Sequence, residues 1–153
     1  MSQSLRVLIV EDEALLALDL EHVLVEQGHN VVGTAASSRE ALRLAEDTRP
    51  DLALVDVHLL DGPTGVDVGR EIAQAGHAAV LFITANVKRL PDDFAGAVGV
   101  VAKPYTTSGL ISAVSFIGDA LDGGGVPLPP WSLTLAPSFV ASKDGLFHIA
   151  RRQ

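Results

Sequence analysis

An α/β fold with a doubly wound parallel sheet is predicted by two features of this 153-residue chain. Five short apolar runs recur along it, each followed by a segment with helical spacing or by turn residues. Four of those runs end in residues with ligating or reactive side chains: Glu11 and Asp12, Asp56, Thr84 and Lys103. In open α/β sheets, ligands bind beyond the carboxyl ends of the strands, so these residues are predicted to meet at one site.

The first run, Leu5-Arg6-Val7-Leu8-Ile9-Val10, has the aliphatic content of a buried parallel strand and stops at Glu11. A helix is expected from about Ala14 to Gln27, with Leu16, Leu20, Val23 and Leu24 on one face and Gly28 closing it. Val31-Val32-Gly33-Thr34-Ala35 reads as the second strand. Ser37 with Glu40 three residues later signals a capping box, and Ala41, Leu42, Leu44 and Ala45 supply that helix's apolar side. Leu52-Ala53-Leu54-Val55 is the third strand and leads into Asp56. A loop of Gly, Pro and Thr follows, then a helix from about Val66 to Gln74. Ala79-Val80-Leu81-Phe82-Ile83 is the fourth strand, ending at Thr84. Pro91 breaks any long helix over residues 85–97. Val98-Gly99-Val100-Val101-Ala102 is the fifth strand, ending at Lys103-Pro104, and a last helix is expected from Thr107 to Leu121. The flavodoxin-like strand order 2-1-3-4-5 is a common solution for such a chain.

The body, residues 4–122, is separated by a Gly/Pro linker at 123–130 from an extension at 131–153. Trp131, Leu133, Leu135, Phe139, Val140, Leu146, Phe147 and Ile149 make that extension too apolar for a solvated tail. Ser138-Phe139-Val140-Ala141-Ser142 and Leu146-Phe147-His148-Ile149 flank Lys143-Asp144-Gly145, which suggests a β-hairpin. An isolated hairpin is marginal in water, so it is expected to pack on the body, on a second copy as a homodimer contact, or on a partner.

Net charge is −8, and the body up to Asp122 carries more negative charge than the whole because the extension is basic. Such a body repels nucleic-acid backbone, and the extension lacks a basic recognition helix. No apolar run approaches the ~18 residues of a membrane span. The N-terminus lacks the basic and small-residue pattern of a signal peptide, so a cytoplasmic location is expected. There is no cysteine, which removes disulfides and thiolate metal sites.

Carboxylates crowded at one strand end raise one another's pKa unless a cation sits among them. An oxygen-only donor set points to Mg²⁺, held by Glu11, Asp12, Asp56 and the backbone carbonyl of His58. Asp56 is then a nucleophile for phosphoryl transfer, with Lys103 as a point charge and the Thr84 hydroxyl as a hydrogen-bond partner of a phosphoryl oxygen. No P-loop pattern is present. Taken singly, each of these residues is commonplace: an Asp that caps a turn, a solvated loop lysine, a threonine ending a strand. Their joint placement carries the reading. His22, His29, His58, His77 and His148 show no metal-ligand spacing.

Over residues 4–122 the chain resembles the receiver domains of bacterial two-component response regulators. The resemblance rests on Val10-Glu11-Asp12-Glu13, Leu54-Val55-Asp56-Val57, Phe82-Ile83-Thr84-Ala85 and Val101-Ala102-Lys103-Pro104, in that order and at those intervals. It implies that Asp56 is the phospho-acceptor and that Glu11 and Asp12 are the acidic pair of the metal pocket. It implies that Thr84 is the switch hydroxyl and Lys103 the phosphate-pairing lysine, with a cis bond to Pro104. It further implies a histidine kinase or histidine phosphotransfer protein as donor, output through contact with a downstream protein, and no enzyme activity beyond its own phosphorylation and dephosphorylation.

Three departures stand out. The strand-five position three residues before the lysine, usually Tyr or Phe in receivers, is Val100. The loop His58-Leu59-Leu60-Asp61-Gly62-Pro63-Thr64-Gly65 has Leu60 where most receivers have proline, and is one residue longer. The run Phe82-Ile83-Thr84-Ala85-Asn86-Val87 is similar to an atypical alphaproteobacterial subgroup with a Phe-Ala-Thr-Gly run. The alternative reading is a phosphorylation-independent receiver-like adaptor. Aspartyl-phosphate phosphatases need a second Asp two residues after the nucleophile, where this chain has His58.

Overall fold

Aliphatic side chains alternate between two faces along the central strand, and that alternation organises the molecule. In the computed structural model, which describes residues 4–121, 125–126, 128–139 and 143–149, β1 (Arg6–Val10) lies between β2 (Asn30–Ala35) and β3 (Leu52–Asp56). β4 (Ala79–Thr84) and β5 (Gly99–Ala102) continue the sheet beyond β3, all parallel. The order is therefore 2-1-3-4-5, as expected, and a sixth strand, β6 (Thr134–Leu135), runs antiparallel to β5 at the edge.

Among the described residues, four α-helices cover the two faces. Val7 and Ile9 of β1 point into a layer closed by α1 (Ala14–Glu26) and α4 (Thr107–Leu121) through Leu20, Leu24, Leu110, Val114 and Ile117. Leu8 and Val10 point to the other layer, closed by α2 (Ser38–Thr48) and α3 (Gly65–Ala75) through Ala41, Ala45, Val68 and Ile72. Gly69 of α3 lets that helix lie against Phe82, whose ring would come within 2.4 Å of a Cβ. The expected cap forms in a shifted version: Glu40 N donates to the N-cap Ser37 Oγ at 3.4 Å, while Glu40 Oε1 accepts at 2.9 Å from Ala36 N, one residue before the cap.

Between β4 and β5 no α-helix forms. The segment holds two 3-10 turns, Val87–Arg89 and Phe94–Gly96, on either side of Pro91. Proline lacks the amide that would continue a helix. Leu90 and Ala95 still cover the sheet on the α2–α3 face.

The extension packs on the body of its own chain. Leu133 and Ile149 join the α1–α4 layer. Ala136 N donates to Val98 O at 2.8 Å, and Ile149 N donates to Ala120 O at 3.1 Å. Val126 and Phe147 exchange backbone hydrogen bonds of 3.0 and 2.7 Å. Phe147 also lies 6.2 Å, centroid to centroid, from Phe116. The hairpin expected over 138–149 falls partly on residues 140–142, outside the described residues. The β6 pairing was not foreseen, because two residues are too few to show a period. At the other terminus, Leu5 is fully buried beside Gly118, so both ends of the described chain meet near the C-terminus of α4. Among the described residues, no helix is long and apolar enough to cross a membrane.

Candidate functional site

The carboxyl ends of β1, β3 and β5 deliver their polar residues to one pocket because the strands run parallel and in close register. Val10 pairs with Val55, which places Glu11 and Asp12 beside Asp56. Carboxylate oxygens of Glu11, Asp12 and Asp56 all lie within 4.8 Å of one another. Lys103 reaches back from the end of β5. Its ammonium donates to Asp56 Oδ2 at 2.9 Å and to Glu11 Oε1 at 3.2 Å. The Lys103–Pro104 peptide bond is cis. Val10, Leu20, Leu54, Ile83 and Tyr105 line the same pocket and lower its dielectric.

Burial and crowding set the charges. Burial, and then Asp56 alongside, push the Glu11 carboxyl up to about 8 against the pull of Lys103. Burial alone would raise Asp56, but the neighbouring Glu11 carboxyl and the Lys103 ammonium outweigh it and hold Asp56 below the ordinary carboxylate value. For Lys103, burial opposes the charge, yet Asp56 and Glu11 together raise its pKa. The pocket therefore holds an ionised Asp56 against a permanent cation. Glu11 Oε2 is buried without a hydrogen-bond partner. An orphaned buried oxygen beside two further carboxylates fits a hard divalent cation, which takes oxygen donors.

Thr84 ends β4 and is buried, and its hydroxyl oxygen accepts from Asn86 N at 3.1 Å. Lys103 N donates to Thr84 O at 2.9 Å, which ties the ends of β4 and β5 together. His58 N donates to Asp56 Oδ1 at 3.3 Å, while the His58 side chain points to solvent. Val100 is buried and pairs with Phe82 on one side and Thr134 on the other.

Two supports of the site were not read from the sequence. Gly65 N donates to Val57 O at 2.9 Å, and a Cβ at Gly65 would stand 1.9 Å from Asp56 O. Only glycine allows α3 to begin so close to the end of β3 that carries Asp56. Asp61 ties the loop after Asp56 to the start of α2, accepting from Ser38 N and Ser38 Oγ, and also from Thr64 Oγ1 at 2.7 Å. Those hydrogen bonds, Ser38 first, hold Asp61 below its ordinary value. A lone Asp in a Gly/Pro loop gave no sequence signal for such a clamp.

Comparison with known proteins agrees with this geometry. Residues 7–115 match the family described as response regulator receiver domain. The transcriptional regulatory protein PdtaR of Mycobacterium tuberculosis is 41% identical over 114 residues, covering 71% of this chain and 54% of that protein. The phyllosphere-induced regulator PhyR of Methylorubrum extorquens is 37% identical over 111 residues, covering 71% of this chain and 42% of that one. The chain thus spans about half the length of the curated relatives it matches. Among solved structures, the receiver domain of Erythrobacter litoralis PhyR superposes with a TM-score of 0.66 at 34% identity, covering 73% of this chain and 88% of that one. The PhyR response regulator of Brucella abortus superposes with a TM-score of 0.62 at 37% identity, covering 69% and 44% of the two chains. With the acidic pocket, the lysine and the strand order in agreement, the chain belongs to the response regulator receiver domain family.

Proposed function

We propose that this chain is a response regulator that accepts a phosphoryl group on Asp56 and passes the signal on by protein contact. The donor is a phosphohistidine on a histidine kinase or histidine phosphotransfer protein. The observation that carries the reading is the Lys103 ammonium, 2.9 Å from Asp56 Oδ2 in a pocket shared with Glu11 and Asp12. The receiver body spans 4–122, with 123–130 leading to the extension.

An ionised Asp56 oxygen attacks phosphorus in line with the phosphohistidine P–N bond. As the P–O bond forms, the P–N electron pair returns to the donor imidazole, which takes a proton from solvent. Lys103 shifts from the carboxylate to the phosphoryl oxygens and offsets their charge. Thr84 accepts from Asn86 and so keeps its own hydroxyl proton to donate to a phosphoryl oxygen. Glu11, Asp12, Asp56 and the His58 carbonyl would hold Mg²⁺, which neutralises negative charge shared between carboxylate and phosphoryl group. His58, where phosphatases carry a second acid, leaves the acyl phosphate without a neighbouring general base of that kind. The chain is therefore a phosphorylated switch rather than an enzyme acting on other substrates, and a cytoplasmic site goes with such a role.

The test is incubation with acetyl phosphate and Mg²⁺, read by intact mass. A gain of about 80 Da is expected in the natural chain and not in Asp56→Asn. No gain in either would leave the phosphorylation-independent adaptor as the better reading.

A further inference from the structure

Strand β6 is attached to the body in an unequal way. Its inner edge fits closely: a Cβ on Gly99 would stand 2.3 Å from Thr134 O, and one on Gly109 would stand 3.1 Å from Ser132 Cβ. Ser132 Oγ donates to Gly109 O at 2.7 Å in the first turn of α4, and Leu133 is buried. Yet the ladder is short: two residue pairs, Gly99 with Leu135 and Val100 with Thr134, extended by one hydrogen bond from Ala136 N to Val98 O. The segment leading into it is apolar and unsatisfied, with Leu128 76% and Trp131 85% exposed. The base of the extension is anchored elsewhere, through Val126–Phe147 and Ile149–Ala120. The stretch from 128 to 136 is therefore held by contacts of its own, through Ser132, Leu133 and Ala136, separate from those that hold the rest of the extension.

Strand β5 carries this short attachment on one edge and leads at its end into Lys103, the lysine that pairs with Asp56. Lys103 is tied to Asp56 and Glu11 by its side chain and to Thr84 by its main chain. A phosphoryl group on Asp56 occupies the place where the ammonium now meets Oδ2, so Lys103 and its strand end must adjust. Gly99 and Val100 are the residues of β5 that pair at once with β4 and with β6. Any shift in β5 meets a longer ladder on the β4 side and two pairs on the β6 side. The β6 side yields first.

We propose that residues 128–136 form a clip on the β5 edge that phosphorylation of Asp56 loosens, uncovering Leu133 beside the already exposed Trp131 as a joined apolar strip. This rests on the phosphorylation reading above and adds its output element. It puts the output of the switch on the chain's own extension at Val100.

The experiment uses the full chain with acetyl phosphate and Mg²⁺, loading followed by intact mass. Hydrogen exchange is read at Thr134, Leu135 and Ala136. Exchange there is expected to quicken by about tenfold or more in the loaded protein, as for a local opening that becomes easier. Exchange at Phe147 and Ile149 should stay within about twofold. Asp56→Asn should show no quickening under the same conditions. If the mass shows full loading and exchange at 134–136 is unaltered, the clip is a fixed sixth strand and the proposal fails while phosphorylation stands. If no loading occurs, both fail. Faster exchange spread equally over 134–136 and 147–149 would also overturn it, because the whole extension would then be opening.

Discussion

Lys103 holds two acids at once, and its loss should separate their fates. With the ammonium gone, Glu11 and Asp56 face each other without compensation. In Lys103→Ala, loading by acetyl phosphate should slow by about a hundred- to a thousandfold, the scale seen when one charge-stabilising donor is removed. Intact-mass time courses measure this directly. Gly65 makes a second prediction at the same scale. A methyl group there meets backbone of Asp56 and Val57, neither of which can rotate away. Gly65→Ala should cost about 3 kcal/mol in urea unfolding. It should slow loading as well, since the backbone that must shift carries the acceptor. The acceptor, the acids, the threonine and the lysine were legible as residues because each ends an apolar run. Gly65 and Asp61 were not, because their importance lies in a close approach and a clamp that exist only once α2, α3 and β3 have met.

The first strand and the helix after it meet at His29. Its Nδ1 accepts from Leu5 N at 3.1 Å, and burial holds its pKa below the ordinary 6.5. A protonated ring would lose that acceptor and place a charge in the interior. At His29 the unfolded chain therefore binds the extra proton, so the contribution of His29 to stability is complete above pH 6.5 and is lost as the pH drops through the lowered folded value. The raised Glu11 carboxyl acts in the opposite direction over the same window, and equally in a His29 variant. Urea midpoints of the natural chain should therefore lose ground, between about pH 7 and pH 5, relative to those of His29→Asn, which keeps an acceptor without a titrating ring. At the start of α2, Ser37→Ala should cost about 1 kcal/mol by removing the N-cap acceptor. Both the capping box and the four α-helices were legible from spacing and cap residues. The segment after β4 was legible only in part: Pro91 forbade a long helix, but the pair of 3-10 turns that replaces it depends on Leu90 and Ala95 finding the sheet.

Across the whole molecule, the extension completes the core rather than trailing from it. Leu133 and Ile149 together should contribute about 3–6 kcal/mol by burial, so a chain ending after Leu121 should unfold at lower urea with a loss in that range. The apolar content of residues 131–149 showed that they must dock; it did not show where, because the receiving surface is built from Gly99, Gly109 and Phe116 on separate elements. The meeting of Leu5 with Gly118 and of Ile149 with Ala120 has a practical consequence. Both lie at the end of the sheet away from Asp56, so tags, surfaces or fused domains joined at either terminus stand clear of the pocket. Neighbouring termini also suit circular permutation: a short linker from the region of Ile149 to that of Leu5, with new ends opened at an exposed loop, should preserve the parallel core.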